Sequence, residues 1–377
     1  MKNYVYAGGL TLATLLGLSA CSTPQLEAQI SVDNIVQMSG SELELKNNHS
    51  LIEVTFKLEN TSKDMETELK TSAKQFYLEG KDGKQIKASS KDVSDLPDVF
   101  SSSNKVEEKT DTFKAIDAEE SKTFSLFFEV ANNDTYQLYF ESNDEDTKGQ
   151  TVSTNLDSFD GQASSKIEKA ANAYIQTILL GQESPDYDKT VANDRNQAKT
   201  EFSNYFSDNL EYGYETTSNI MPTGDEVPQV LSWIQTAKRE RGNYKIDHIL
   251  IANKKAEFRI NMQTINMKAA DDSYSSSHPG ISEELQNYFQ SYGANTSNAD
   301  QITKQFYMEN YLPNAIKEAT PVAPKSEGID IFSDYSIELT LKGDKWAFPD
   351  KESYSGRRWT NYPLFYAYTG QLGTLRY

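Results

Sequence analysis

The sequence predicts an all-β sandwich followed by an α+β domain in which helices pack on an antiparallel sheet. The first part rests on a period of two, because apolar and polar residues alternate from Ile52 to Leu58, which is typical of a strand buried on one face. The second part rests on a change to helical spacing after residue 163 and on strands that return between residues 244 and 348. Helices followed by long antiparallel strands favour an α+β domain.

The all-β domain is assigned to residues 29–142. A hairpin turn is predicted at Lys81-Asp82-Gly83, and alternation returns over Phe124–Val130. The stretch from Lys91 to Asp111 is rich in serine and charge and is expected to form a long loop. Short strands without a helical period favour a β-sandwich, and residues 143–163 are expected to be a polar linker.

The α+β domain is assigned to residues 164–349. Its first helix is predicted at Ser165, because Ser165-Lys-Ile-Glu168 has the form of a capping box, and Gly181 is predicted to stop it. The other predicted elements are, in chain order, helices at Ala198–Leu210 and Val227–Arg241, strands at Tyr244–Ile251 and Ala256–Met267, helices at Ser282–Tyr292 and Ala299–Ala319, and strands at Ile329–Leu341 and Lys345–Phe348. The first pair of strands is predicted to join around Asn253-Lys254, and the second pair is predicted to turn at Gly343-Asp344.

Residues 1–20 have the composition of a secretory signal, with Lys2 near the start and an apolar stretch too short to span a bilayer. The stretch ends in Leu18-Ser19-Ala20-Cys21, which resembles the lipobox of bacterial lipoproteins, and Cys21 is the one cysteine of the chain. The resemblance implies cleavage between Ala20 and Cys21, a diacylglycerol on Cys21 with acyl chains such as palmitate, and a lipidated tether over residues 21–28. An ordinary secretory signal followed by a chance cysteine is the alternative.

Two further resemblances concern the fold. The run Leu51–Ser62, with the later Phe124–Val130, resembles the immunoglobulin-like domains of Gram-positive surface lipoproteins. The order of elements over residues 164–349 resembles the cone-shaped folds related to nuclear transport factor 2, as found in Firmicutes lipoproteins of unknown function. This second resemblance implies a first helix across a strongly curved sheet and a pocket at the wide end.

The net charge of the chain makes nucleic-acid binding an unsuitable function. Removing residues 1–20 takes away Lys2 and leaves 36 basic residues against 56 acidic ones, a net charge of −20. Such a surface repels nucleic acid and anionic lipid headgroups, so we expect no nucleic-acid partner. We expect the lipid on Cys21 to be the membrane attachment, at the extracytoplasmic face of the cell membrane.

The segment 350–377 departs from this acidic background, because Lys351 to Tyr377 carries four basic residues and one acidic residue among many aromatic ones. Aromatic rings beside planar cations suit sugar rings, acidic peptides or phosphate-bearing wall polymers. We expect these aromatic side chains to pack on the second domain, with a ligand-binding surface as the alternative, and both roles hold if the segment lines the mouth of the cone. The candidate ligand-binding residues are Arg357, Arg358, Trp359, Tyr362 and Tyr366.

No catalytic or metal-binding motif is found in the sequence. His49, His248 and His278 lack zinc-ligand spacing, and no cofactor or metal is expected. His248 could act as a base with Asp247 only if the strand bent between them, because neighbours in a strand point to opposite faces. Acidic pairs such as Asp271-Asp272 could bind Ca²⁺, but solvated loops explain them better.

These observations lead to the hypothesis of a membrane-anchored extracytoplasmic lipoprotein that acts as a non-catalytic binding or interaction module at the cell envelope. Its partner would be a cell-wall polymer, a small ligand or another surface protein. Two alternatives stay open: an extracytoplasmic enzyme that acts on envelope material, and a chaperone-like assembly factor for secreted proteins.

Overall fold

The computed structural model describes residues 24–89, 115–212, 222–265, 267–293, 295, 297–322, 335–349 and 365. It has an N-terminal region of antiparallel sheet and a C-terminal region of helices and sheet. Among these residues, no helix combines the length and the hydropathy that a membrane span requires.

The N-terminal region contains seven strands, formed where apolar and polar side chains alternate. They are β1 (Ala28–Ser39), β2 (His49–Asn60), β3 (Phe76–Gly80), β4 (Gln85–Lys87), β5 (Ser121–Ala131), β6 (Tyr136–Glu141) and β7 (Thr151–Asn155). Strands β1, β2 and β5 pack on a four-stranded sheet of order β4-β3-β6-β7. The apolar faces meet in a core that includes Phe56, Phe76 and Phe140, all of them buried.

The C-terminal region combines eight α-helices and four strands among the described residues. The helices are α1 (Ala163–Tyr174, continued by a π-helical turn at Ile175–Leu179), α2 (Tyr187–Thr190), α3 (Arg195–Tyr212), α4 (Glu226–Arg241), α5 (Met267–Ser277), α6 (Ile281–Ser291), α7 (Ala299–Phe306) and α8 (Leu312–Glu318). The strands are β8 (Asn243–Ala252), β9 (Lys255–Gln263), β10 (Tyr335–Lys342) and β11 (Lys345–Ala347). Helix α1 lies on the sheet, where Tyr244 of β8 donates a hydrogen bond to Asn172 of α1 at 2.8 Å.

One seven-stranded antiparallel sheet runs through both regions, in the order β11-β10-β9-β8-β1-β2-β5. The regions meet where β1 pairs with β8, from Val36 opposite Ala252 to Ser39 opposite Ile249. This seam joins segments that are more than two hundred positions apart in the chain. The two regions are therefore joined by main-chain hydrogen bonds as well as by the connecting chain.

Local structure departs from the sequence prediction at three helices and in the predicted linker. Helix α1 begins at Ala163, two residues before the predicted capping box, because the Asp160 carboxylate accepts the Gln162 N–H and the Asp160 carbonyl accepts the Ala163 N–H. Helices α2 and α5 are not among the predicted elements, and α5 begins at Met267, where the end of a strand is predicted. The predicted linker also contains β7, which pairs with β6.

Candidate functional site

A pocket of about 340 Å³ lies at the seam between the two regions. Its lining comes from β1, β8, β10, β11, the connector 156–162 and the start of α1. The lining residues are Ile35, Gln37, Ser158, Phe159, Asp160, Ala163, Lys166, Ile251, Asn253, Leu341, Asp344 and Trp346. Pockets of this size with apolar walls and a few polar groups are typical small-molecule sites.

The floor of the pocket is the seam itself. Ile35 and Gln37 share one face of β1, and Gln37 pairs directly with Ile251 of β8. Gln37 is buried and donates to Ser50 Oγ at 3.0 Å, and Ser50 Oγ donates to Asn132 Oδ1 at 2.7 Å. Because buried amides need partners, this chain of hydrogen bonds fixes the Gln37 side chain beneath the pocket.

The first wall is the connector between β7 and α1. The Phe159 ring packs edge-on against Tyr136, with 5.8 Å between ring centroids. Gly161 lies so close to the β5–β6 turn that a Cβ atom there would stand 1.8 Å from the carbonyl oxygen of Asn132. Only glycine fits this approach, so the connector and its Phe159 and Asp160 side chains are held against the N-terminal region.

The second wall is the last hairpin, where Leu341 of β10 pairs with Trp346 of β11. The Trp346 side chain is buried, and its carbonyl accepts the Ala192 N–H at 2.9 Å. The Asn193 side chain forms two hydrogen bonds with the main chain of Phe348. Asn193 Nδ2 donates to the Phe348 carbonyl, and Asn193 Oδ1 accepts the Phe348 N–H. These contacts hold the indole in place at the pocket.

Charged groups lie at the rim. Lys166 Nζ donates to Asp160 Oδ2 at 2.5 Å, and both side chains are substantially exposed. Asp344 lies in the β10–β11 turn, and within the described residues it forms no ion pair. Two carboxylates against one ammonium group leave the rim with a net negative charge, which favours a ligand that carries a cationic or hydrogen-bond-donating group. Aromatic and apolar walls favour a ring or another apolar body.

Asp247 of β8 joins the two regions on the other side of the seam. It accepts hydrogen bonds from the N–H and Oγ of Ser41, from Lys245 Nζ and from the His248 N–H. Burial raises the pKa of Asp247, but these donors outweigh burial and hold the pKa well below its usual value. The carboxylate therefore stays charged and binds the loop after β1 to β8.

The strand does bend between Asp247 and His248, at a bulge where His248 has a positive φ of 48°. The Asp247 carboxylate accepts a hydrogen bond from the His248 N–H, and the main chain of the half-buried His248 lies beside Gly40. His278 follows α5 and stacks on Tyr274, while Asp271 accepts a hydrogen bond from Tyr311 at 2.6 Å. Among the residues that can be described, no three His, Cys, Asp or Glu side chains gather as metal ligands.

The sequence predicts its candidate site residues near the two ends of the chain. Ala20, Cys21, Arg357, Arg358, Trp359, Tyr362 and Tyr366 lie outside the described residues. From the same C-terminal segment, Phe365 is described, and it is buried against Phe202 and Tyr205 of α3. The sequence does show an aromatic residue, Trp346, close to the turn Gly343-Asp344. No pattern in the sequence indicates that this turn lies near β1.

Residues 160–355 match the protein family described as a domain of unknown function, DUF5105. The match spans more than half of the chain, and the protein belongs to this family. It includes eight of the twelve residues that line the pocket, from Asp160 to Trp346. No curated protein matches the chain significantly.

The structure also resembles a solved one. It matches the crystal structure of a "putative lipoprotein (ycdA)" from Bacillus subtilis subsp. subtilis str. 168 with a TM-score of 0.52 and 16% sequence identity. The match covers 91% of this chain and 97% of the other. At this identity the likeness concerns the fold, and it extends over both regions.

Proposed function

We propose that this protein is a lipid-anchored extracytoplasmic binding protein of the cell envelope, attached to the membrane through Cys21, whose seam pocket holds a small ligand. The pocket carries the proposal, because it combines a buried Trp346 and a half-buried Phe159 with a carboxylate-rich rim. The ligand that suits it has an apolar or ring-shaped body and a cationic or hydrogen-bond-donating group. The anchor is supported by Leu18-Ser19-Ala20-Cys21 and by the fold shared with the Bacillus subtilis protein.

For the two regions we propose an immunoglobulin-like sandwich and a domain related to nuclear transport factor 2. The two packed sheets of the N-terminal region support the first assignment. Helix α1, which lies across β8, supports the second. In this arrangement the ligand site is at the joint of the two domains, where binding pockets are common.

The experiment is native mass spectrometry of the protein released from host membranes with mild detergent. The mass of the polypeptide shows whether it begins at Cys21 with a diacylglycerol, and a second, dissociable mass shows a bound ligand. Ala163→Leu fills the pocket from the first turn of α1, so we expect this variant to lose the ligand mass. Ser165→Leu adds a similar side chain at an exposed position of the same turn and should keep it.

Two results would contradict the pocket assignment. One is a wild-type protein without any dissociable mass. The other is a ligand mass that Ala163→Leu retains as fully as Ser165→Leu does. An unmodified N-terminus at Cys21 would contradict the lipid anchor independently of the pocket.

A further inference from the structure

The folded body begins very close to Cys21. Gln150 Nε2 donates to the Pro24 carbonyl and Gln150 Oε1 accepts the Leu26 N–H, both at 2.6 Å. Strand β1 then starts at Ala28. Pro24 is three residues after Cys21, and three residues span at most about 11 Å. A lipid on Cys21 would therefore hold this end of the body within about 11 Å of the Cα atom of Cys21.

The same end of the N-terminal region is formed by three chain segments, residues 24–27, 61–68 and 142–150, which we call the proximal end. Ala28 pairs with Asn60, and the Thr61 N–H donates to the Glu27 carbonyl at 3.0 Å, so the loop after β2 lies beside the tether. This loop presents Met65, whose side chain is 77% exposed. Large apolar side chains so exposed are rare in the described part of the chain, where Tyr292 is the other example.

The pocket lies toward the opposite end of the N-terminal region. Gln37 is nine residues beyond Ala28 on β1, and a strand rises about 3.3 Å per residue, so the two are roughly 30 Å apart. The turn at Lys81 also lies at the far end, because its N–H donates to Asp134 in the β5–β6 turn. The N-terminal region therefore has the length and orientation of a spacer between the tether and the pocket.

We infer that the proximal end faces the lipid bilayer, with Met65 at the membrane surface, and that the N-terminal region carries the pocket about 30 Å above it. The inference rests on the proposed lipid anchor. Carboxylates such as Asp64, Glu66, Asp144 and Asp146 make the proximal end acidic, so it does not adhere to anionic lipid by itself. The short tether holds it there, since three residues allow a separation of at most about 11 Å between Cys21 and Pro24.

The test uses the mature chain from Cys21, whose single thiol is coupled to a maleimide lipid in phosphatidylcholine vesicles. Because this attachment is chemical, the result does not depend on acylation in the cell. A fluorescent amino acid is introduced by codon suppression at Met65 or, as the matched control, at exposed Lys81 at the far end. Lipids with a nitroxide on the headgroup then quench fluorophores near the membrane surface.

We expect quenching at position 65 to be several-fold stronger than at position 81. A twelve-residue Gly-Ser insertion between Thr23 and Pro24 should remove most of that difference, and Gln150→Ala should reduce it. The same chain without the lipid should show no quenching at either position. Equal quenching at both positions, stronger quenching at 81, or no effect of the insertion would overturn the inference.

Discussion

Asp247 shows how one side chain can hold two regions together. Its carboxylate bonds Ser41 in the loop after β1, while its own main chain belongs to β8. The bulge between Asp247 and Ile249 turns the chain so that this carboxylate reaches the neighbouring loop. The positive φ of His248 is part of the same bulge, and Gly40 leaves room for it, because a Cβ at Gly40 would stand 3.0 Å from the His248 Cα.

We expect Asp247→Asn to lower the free energy of unfolding at pH 7 by about 1–3 kcal/mol, because hydrogen bonds to a charged acceptor are lost. The pKa of Asp247 is lower in the folded protein than its value of about 3.9 in an unfolded chain. Its contribution is therefore complete above about pH 4 and is lost as the pH falls toward the folded-state pKa. Urea unfolding at pH 7, 4 and 3 should show the difference between wild type and variant shrinking with acidity.

Asp344→Asn is the control for Asp247→Asn, because Asp344 is exposed and forms no ion pair within the described residues. We expect the control to change the free energy of unfolding by less than about 0.5 kcal/mol. A difference for Asp247→Asn that stays constant from pH 7 to pH 3 would contradict the assigned role.

At the scale of elements, the connector 156–162 decides where the pocket wall stands. Its hydrogen bonds begin α1, since Asp160 accepts from both Gln162 and Ala163. Its position depends on Gly161, which lies against the main chain of Asn132. A local capping motif can be recognised in the sequence. The contact between Gly161 and a turn almost thirty residues earlier cannot be recognised there, because it depends on the tertiary fold.

We expect Gly161→Ala to destabilise the protein by about 1–3 kcal/mol, because the added Cβ would overlap the Asn132 carbonyl and the connector would have to move. Gly280→Ala is the matched control, since a Cβ at Gly280 meets open space. Chemical denaturation of both variants measures the difference. Equal stability of the two variants would show that the connector can shift without cost.

Helix α5 illustrates why some elements escape prediction. Its sequence is rich in serine and aspartate, which have weak helix propensity and favour turns. Ala270 and Tyr274 are nevertheless buried at a spacing of four residues, and Tyr311 bonds Asp271 from a neighbouring helix. Packing thus stabilises a helix that local propensity does not favour.

At the scale of the whole molecule, the seam joins both regions through a shared apolar cluster as well as through the sheet. Val36, Met38 and Leu51 of the N-terminal strands are buried together with Leu250 and Ala252 of β8. This cluster lies on the opposite face of β1 from Ile35 and Gln37, which line the pocket. A single strand therefore supports the shared core on one face and the candidate site on the other.

We expect Met38→Ala to destabilise the C-terminal region as well as the N-terminal one, by about 2–5 kcal/mol in total. All three tryptophans lie beyond residue 160, so tryptophan fluorescence reports unfolding of the C-terminal region. Its transition should move to lower urea in Met38→Ala, and it should move less in Leu138→Ala, which alters the N-terminal core away from the seam. An unchanged fluorescence transition in Met38→Ala would contradict coupling through the seam.

The candidate site could be predicted only in part. The sequence located the hairpins at Asn253-Lys254 and Gly343-Asp344, and the structure confirms strands on both sides of each turn. It did not indicate that these hairpins line one pocket with β1. The ligand-binding residues that it predicted lie in the segment 350–377. The anchor at Cys21 and the aromatic residues from Arg357 to Tyr366 stay predictions.

The sequence by itself determined that a region of strands precedes a region of helices and strands, and it located several of these elements. Alternation predicted the strands at Ile52–Leu58 and Phe124–Val130, and helices were predicted where α1, α3 and α4 lie. Only the tertiary structure decided that β1 pairs with β8 and that a pocket forms on the seam. The physical reason is that periodicity records which face of an element is apolar, whereas pairing between strands more than two hundred residues apart depends on the packing of the whole chain.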